Sequence, residues 1–189
     1  MPEVDAFLGV NNYEDLPDIV LGRTSENCLA DKAGPKYRET GGRVLSTVPW
    51  TRSIKIAEGC SNVCSYCIIP FIRGIYRSRE ESSIIEEAEQ LAAEGCKELI
   101  IIAQDVTNYG RDLGKPDALP PLLKKLCLID GIEWIRLMYC YEDEISDELI
   151  ETIRDNEKIC KYIDIPIQHC NDGILKAMNR KSTGASIRN

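Results

Sequence analysis

Short apolar runs alternate with helix-patterned stretches four times along this 189-residue chain. The strand-like runs fall at residues 53–57, 98–103, 133–138 and 162–167. The helical ones follow at 83–94, 120–128, 146–156 and 172–178. Residues 98–103 (Glu-Leu-Ile-Ile-Ile-Ala) are nearly all apolar, as expected of a parallel strand covered on both faces. Ser83-Ile84-Ile85-Glu86 reads as a capping box, with Ile84, Ala88, Leu91 and Ala92 as an apolar stripe and Gly95 as the stop. Strand–helix units joined by long connections build a parallel sheet, either doubly wound or a barrel. The fold class expected is therefore α/β. Four units cannot close a barrel, so the sheet is open or continues in further units. Each strand runs into polar or sulfur groups: a cysteine loop, Gln104-Asp105, Tyr139-Cys140-Tyr141 and Gln168-His169. Barrel sites lie at the carboxyl ends of the strands, so one site on one rim is expected.

The first strand leads directly into Glu58-Gly59-Cys60-Ser61-Asn62-Val63-Cys64-Ser65-Tyr66-Cys67. Three cysteines at C-x₃-C-x₂-C spacing can hold three irons of a [4Fe–4S] cube and leave the fourth iron open. An open iron can bind the amino and carboxylate groups of S-adenosylmethionine (SAM) and pass an electron to its sulfonium. The competing reading is a structural zinc site in a non-catalytic module. Zinc wants four closed ligands, and His169 or Cys170 is the available fourth. The absence of a second C-x₂-C pair weighs against zinc.

The remaining six of nine cysteines are scattered, which suits a reducing compartment and a cytoplasmic protein, with most of them buried as small hydrophobes. The net charge of −8 and pI near 4.8 argue against direct nucleic-acid binding, which needs a basic face. No apolar run approaches the length of a membrane span. Ahead of the repeats, residues 4–10 read as a short buried strand and 13–21 as a helix capped by Asn11 or Asn12. Residues 22–49 are polar, punctuated by Gly34-Pro35 and Gly41-Gly42, and read as a linker.

The segments from Ala57 to Pro70 resemble the radical SAM methylthiotransferases. Ile72-Arg73-Gly74, Arg77-Ser78-Arg79, Ile102-Ala103-Gln104-Asp105, residues 135–141 and Asp164-Ile165-Pro166-Ile167-Gln168-His169 are similar to the branch that modifies a ribosomal protein, the RimO type. The tRNA-adenosine branch, the MiaB type, is the alternative. The resemblance implies a partial (β/α) barrel of the radical SAM type, preceded by a remnant of an α/β N-terminal domain. On that basis residues 1–22 are the remnant, 23–49 the linker and 50–189 the incomplete core. It also implies an enzyme, a transferase that methylthiolates the β-carbon of an aspartate in small-subunit ribosomal protein twelve. A deoxyadenosyl radical from SAM removes the hydrogen, sulfur is inserted, and a second SAM supplies the methyl group. The cofactors implied are one [4Fe–4S] cluster with an open iron and SAM. Full-length members add a second [4Fe–4S] cluster and a TRAM domain, neither of which is expected within this stretch. The implied partners are the ribosomal protein and a reductant such as flavodoxin or ferredoxin.

Cys60, Cys64 and Cys67 are the expected cluster ligands. Tyr66, Gln104, Asp105 and Gln168 are candidates to touch SAM. Arg73, Arg77 and Arg79 are candidates to clamp a carboxylate, because guanidinium groups read carboxylates bidentately. At least one of the three is expected to pair with Glu80 or Glu81 instead. His169 reads as a structural histidine, and Glu142-Asp143-Glu144 as a solvated loop. No residue is assigned a catalytic proton transfer.

Overall fold

The computed structural model describes residues 3–10, 12–24, 28–29 and 48–188. The strands are β1 (Phe7–Leu8), β2 (Cys28–Leu29), β3 (Thr51–Lys55), β4 (Ala57–Glu58), β5 (Arg77–Ser78), β6 (Glu98–Ile102), β7 (Trp134–Leu137) and β8 (Ile159–Ile163). The helices are α1 (Leu16–Val20), α2 (Ile69–Arg73), α3 (Glu81–Ala93), α4 (Leu119–Cys127), α5 (Asp147–Asp155), α6 (Asp172–Ala177) and α7 (Gly184–Arg188).

The main sheet has the order β3-β6-β7-β8, with every neighbouring pair parallel. Sequential order is that of a barrel wall, since a doubly wound sheet reverses its order part-way. Its helix-facing layer is apolar: Ile54, Leu99, Ile101, Ile135, Leu137 and Ile159 pack with Ile84, Ala88 and Leu91 of α3, Leu122, Leu123 and Leu126 of α4, and Leu149 and Ile153 of α5. The opposite face carries Thr51, Ser53 and Lys55, then Glu98 and Ile100, then Arg136. Ile100 and Ile102 are only half-buried there. The expectation that residues 98–103 are covered on both faces is thus corrected. The second face is a partly polar inner surface, where Glu98 accepts from Thr51 and Arg136.

Local sequence explains most element ends. Ser146 Oγ accepts from the Leu149 amide at 3.2 Å and starts α5. Asn171 Oδ1 accepts from the Gly173 and Ile174 amides at 3.0 and 3.2 Å and starts α6. The capping box at 83–86 does not form. α3 begins at Glu81, two residues early, so Ser83 lies inside the helix and its hydroxyl accepts from Arg79 instead.

The last strand also begins earlier than residues 162–167. Buried Ile159 pairs with Ile135, and the register shifts before Leu137 meets Ile163. At the amino end, the buried strand shrinks to β1, whose Phe7 is 49% exposed and which pairs in parallel with β2. The helix at 13–21 is a short 3-10 turn followed by α1, neither with a buried residue. Most of the linker at 22–49 lies outside the described residues.

Candidate functional site

β4 and β5 form a two-residue antiparallel ladder, Ala57 opposite Ser78 and Glu58 opposite Arg77. The cysteine loop and α2 are the excursion between them. Gly59 makes its neck possible. Its φ is +82°, and a Cβ there would stand 2.3 Å from the Ile75 carbonyl oxygen and 2.6 Å from that of Gly74. The Cys60 amide closes the neck by donating to Gly74 O at 3.1 Å, and Tyr76 N donates to Ser61 Oγ at 3.2 Å.

Three further anchors hold the loop against the rim. Asn62 Nδ2 donates to Asp105 Oδ2 at 3.0 Å, at the carboxyl end of β6. Ser65 donates its amide to Met178 O and its hydroxyl to Ala177 O, both at 3.0 Å, at the end of α6. Asn179 Nδ2 donates to Val63 O at 2.8 Å. Within the loop, Cys67 N donates to Cys64 O at 3.0 Å, a tight turn that keeps the last two cysteines close in the chain.

All three loop cysteines are free thiols. Burial pushes the Cys60 thiol up; an Asn62 amide opposes this, and the charges of Asp105, Cys64 and Cys67 add to the rise. All three thiols sit on this one anchored loop. No three His, Cys, Asp or Glu side chains among the described residues converge to hold a single metal ion. A zinc site needs such convergence, with each sulfur about 2.3 Å from one ion. A [4Fe–4S] cube takes each thiolate on a different iron, so three free thiols on one loop suit it by their donor chemistry.

The other predicted residues divide by placement. Asp105 is only 2% exposed and accepts from Thr107 Oγ1 at 2.7 Å as well as from Asn62. Burial pushes its carboxyl up, and those donors hold it back. Through Asn62 it ties the loop to the end of β6. Gln104 Oε1 is buried and has no hydrogen-bond partner among the described residues. Tyr66 is exposed, beside Cys64 and Arg180. Gln168 is exposed with φ at +61°, and its side chain donates to Pro166 O at 3.3 Å. His169 Nδ1 accepts from the Asn171 amide at 2.9 Å, a structural contact.

Of the arginines, Arg79 is bound to Glu87, Ser83 and the Lys55 carbonyl, locking α3 to β3. Arg73 stands 3.8 Å from Glu58 and 3.3 Å from the Tyr13 hydroxyl. Arg77 donates to Ile75 O and Arg73 O. The first two expected carboxylate clamps therefore line the loop's exit, and the third is built into the fold.

The acidic run is not a solvated loop. Glu142 lies against Arg180 Nη2 at 2.6 and 2.7 Å and accepts from Ser182 Oγ at 2.5 Å. Glu144 pairs with Arg111. The Arg180 guanidinium sits 3.8 Å above the Tyr141 ring and donates to Pro166 O at 3.0 Å. Tyr141 is on the rim as expected, but Arg180 and Asn179 carried no signal in the sequence because their partners are remote. The expectation that most of the scattered cysteines are buried is corrected: Cys96 and Cys140 are, with burial pushing the Cys140 thiol up to about 12, whereas Cys127 and Cys160 are half-buried, Cys127 at the margin of the core. Cys28 and Cys170 are exposed.

Three comparisons bear on this architecture. A protein from Clostridium acetobutylicum named ribosomal protein uS12 methylthiotransferase RimO is 50% identical over 192 residues, covering 99% of this chain and 42% of that protein. One of the same name from Geotalea uraniireducens is 47% identical over 191 residues, covering 100% and 43%. The chain thus spans less than half the length of these relatives. Among solved structures, the radical SAM methyltransferase TsrM from Kitasatospora setae superposes with a TM-score of 0.56 at 19% identity, over 71% of this chain and 27% of that one, a likeness of fold. Residues 54–188 match the radical SAM superfamily. That match takes in the cysteine loop, all but the first residues of the four-stranded wall and every rim segment, and by it the chain belongs to the radical SAM superfamily.

Proposed function

We propose that the chain carries the SAM-cleaving core of a methylthiotransferase that modifies the β-carbon of an aspartate in ribosomal protein uS12. Three free cysteines on one anchored loop at the carboxyl rim of a parallel sheet carry this reading. The names of the relatives support the substrate and the reaction.

Cys60, Cys64 and Cys67 would hold three irons of a [4Fe–4S] cluster. When bound, that cluster supplies the electron for reductive cleavage of SAM. The protein's own part is to position. Asp105 holds the loop through Asn62. The buried, unpartnered Gln104 Oε1 is an acceptor for an N–H donor such as the SAM amino group. Tyr66 offers a ring beside the loop for the adenine, and Gln168 offers an amide on the same rim. Arg73 and Arg77 are placed to meet a carboxylate at the loop's exit. Residues 1–22 belong to the domain before this core, 23–49 link it, and 50–189 form it. A flavodoxin or ferredoxin would supply electrons in the cytoplasm. No helix among the described residues is long and apolar enough to cross a membrane.

Anaerobic reconstitution with ferrous iron and sulfide tests the reading. About four irons and four sulfides per chain are expected. With reductant and SAM, the loaded protein should release 5′-deoxyadenosine, and replacing all three loop cysteines by alanine should abolish both results. Stoichiometric zinc with no iron–sulfur absorption, or a loaded cluster that yields no 5′-deoxyadenosine, would overturn it. Methylthiolation of tRNA in place of uS12 would reassign the substrate.

A further inference from the structure

We propose that the carboxyl end of α6, residues 177–180, is a latch that positions Cys64, holding the middle arm of the cysteine loop in its cluster-binding shape. This rests on the reading that the loop carries a cluster.

The three cysteines are anchored by different means. Cys60 is fixed by the neck of the loop, through its own amide and the Asn62–Asp105 bond. Cys67 is fixed by the turn back to Cys64. Cys64 itself is half-buried, its thiol beside Tyr66, Tyr141 and Arg180, but Val63 and Ser65 on either side are exposed, so packing does not fix the backbone of this arm. Hydrogen bonds do. Asn179 Nδ2 takes the carbonyl before Cys64 at 2.8 Å, and Ala177 and Met178 accept from the residue after it at 3.0 Å each. The partners stand 112 and 116 positions apart in the chain.

The latch has its own foundation. Asn179 has φ +55°, directly after α6, where a left-handed residue ends a helix. Asparagine tolerates that conformation better than most residues. The same side chain therefore follows the helix end and reaches the loop. Arg180 pins the next position to Glu142 beyond β7 and to Pro166 beyond β8. Cys64 is thereby tied to two other strand ends through one short segment, which makes 177–180 a set of positioning residues.

The test uses the whole chain, reconstituted anaerobically with ferrous iron and sulfide. Asn179→Gly keeps the left-handed backbone and deletes the amide. Ser65→Ala deletes the hydroxyl, and Ser65→Thr restores a donor. Iron release to a ferrous chelator is timed, the reduced cluster is examined by electron paramagnetic resonance, and melting of the metal-free chain is the control. One lost hydrogen bond corresponds to about a fivefold change. N179G and S65A are expected to release iron about fivefold faster with altered resonance spectra, while S65T matches the parent. Equal release from parent, N179G and S65A would overturn the latch while leaving the cluster reading intact. So would release that merely tracks a lowered melting temperature of the metal-free chain. A parent chain that takes up no iron and sulfide would overturn both.

Discussion

Gly59 shows how far one residue can govern the loop. Its positive φ disfavours any side chain, and the space a Cβ would need is filled by the carbonyl oxygens of Gly74 and Ile75, in the turn between α2 and β5. Neither can move without opening the neck that also receives the Cys60 amide. Gly59→Ala should therefore destabilise the metal-free chain by more than about 1 kcal/mol, read by urea denaturation, because strain and clash add. It should also impair iron uptake on reconstitution. An alanine variant with parental stability would show that the neck is loose. Tyr139 and Gln168 also hold positive φ, at +63° and +61°, two residues past the end of β7 and five past the end of β8. Non-glycine residues in that region concentrate at binding sites, and both belong to the rim. The cysteine loop was legible in the sequence because spacing is local information. The backbone conformations of Tyr139 and Gln168 were not, since neither residue type signals a left-handed turn.

Among the elements, β6 is the one that joins the sheet across both faces. Leu99 and Ile101 enter the core, while Glu98 on the other face accepts from Thr51 Oγ1 of β3 at 2.6 Å and from Arg136 Nε of β7 at 2.9 Å. The Thr51 hydrogen bond, with Arg136 in support, holds the Glu98 carboxyl below the ordinary range. A carboxyl depressed in the folded state contributes stability that is fully present above its unfolded value and is lost as pH falls through the folded one. Glu98→Gln should therefore flatten the decline in melting temperature below about pH 4.5. The parent and variant should run parallel at neutral pH. An identical acid limb in both would show that the cross-strand contacts are not coupled to folding. The apolar period revealed these elements to within a few residues, and the expected helices at 146–156 and 172–178 start where Ser146 and Asn171 cap them. The missed details share a cause. Ser83 matched a cap pattern, yet Arg79 claims its hydroxyl, and the β8 register is set by buried Ile159 rather than by the apolar string that follows it.

On the scale of the whole molecule, the rim is held together by a few long-range contacts rather than by the sheet alone. Arg180 is the node: its guanidinium is nearly inaccessible, stacked on Tyr141, paired with Glu142 and bonded to Pro166, so segments after β7, β8 and α6 meet on one side chain. Sequence could reveal neither partner, because 38 residues separate Arg180 from Glu142 and the acidic triplet looked like surface. A buried ion pair costs desolvation of both charges, so its net contribution is small, but removing one partner strands the other. Arg180→Met should thus lower stability by about 3 kcal/mol, with Glu142 left as the uncompensated charge. Arg180→Met combined with Glu142→Leu should recover most of that loss, because the stranded carboxylate is gone and the volume is filled. Urea denaturation of both variants and the Glu142→Leu single completes a double-mutant cycle. Additive losses, with no recovery in the double variant, would mean that Arg180 acts through Tyr141 and Pro166 and that the pair does not organise the rim. Recovery of stability without recovery of parental iron retention would separate two roles. The pair would then be replaceable as a fold element while its hydrogen bonds remained necessary for holding the segment that reaches Cys64.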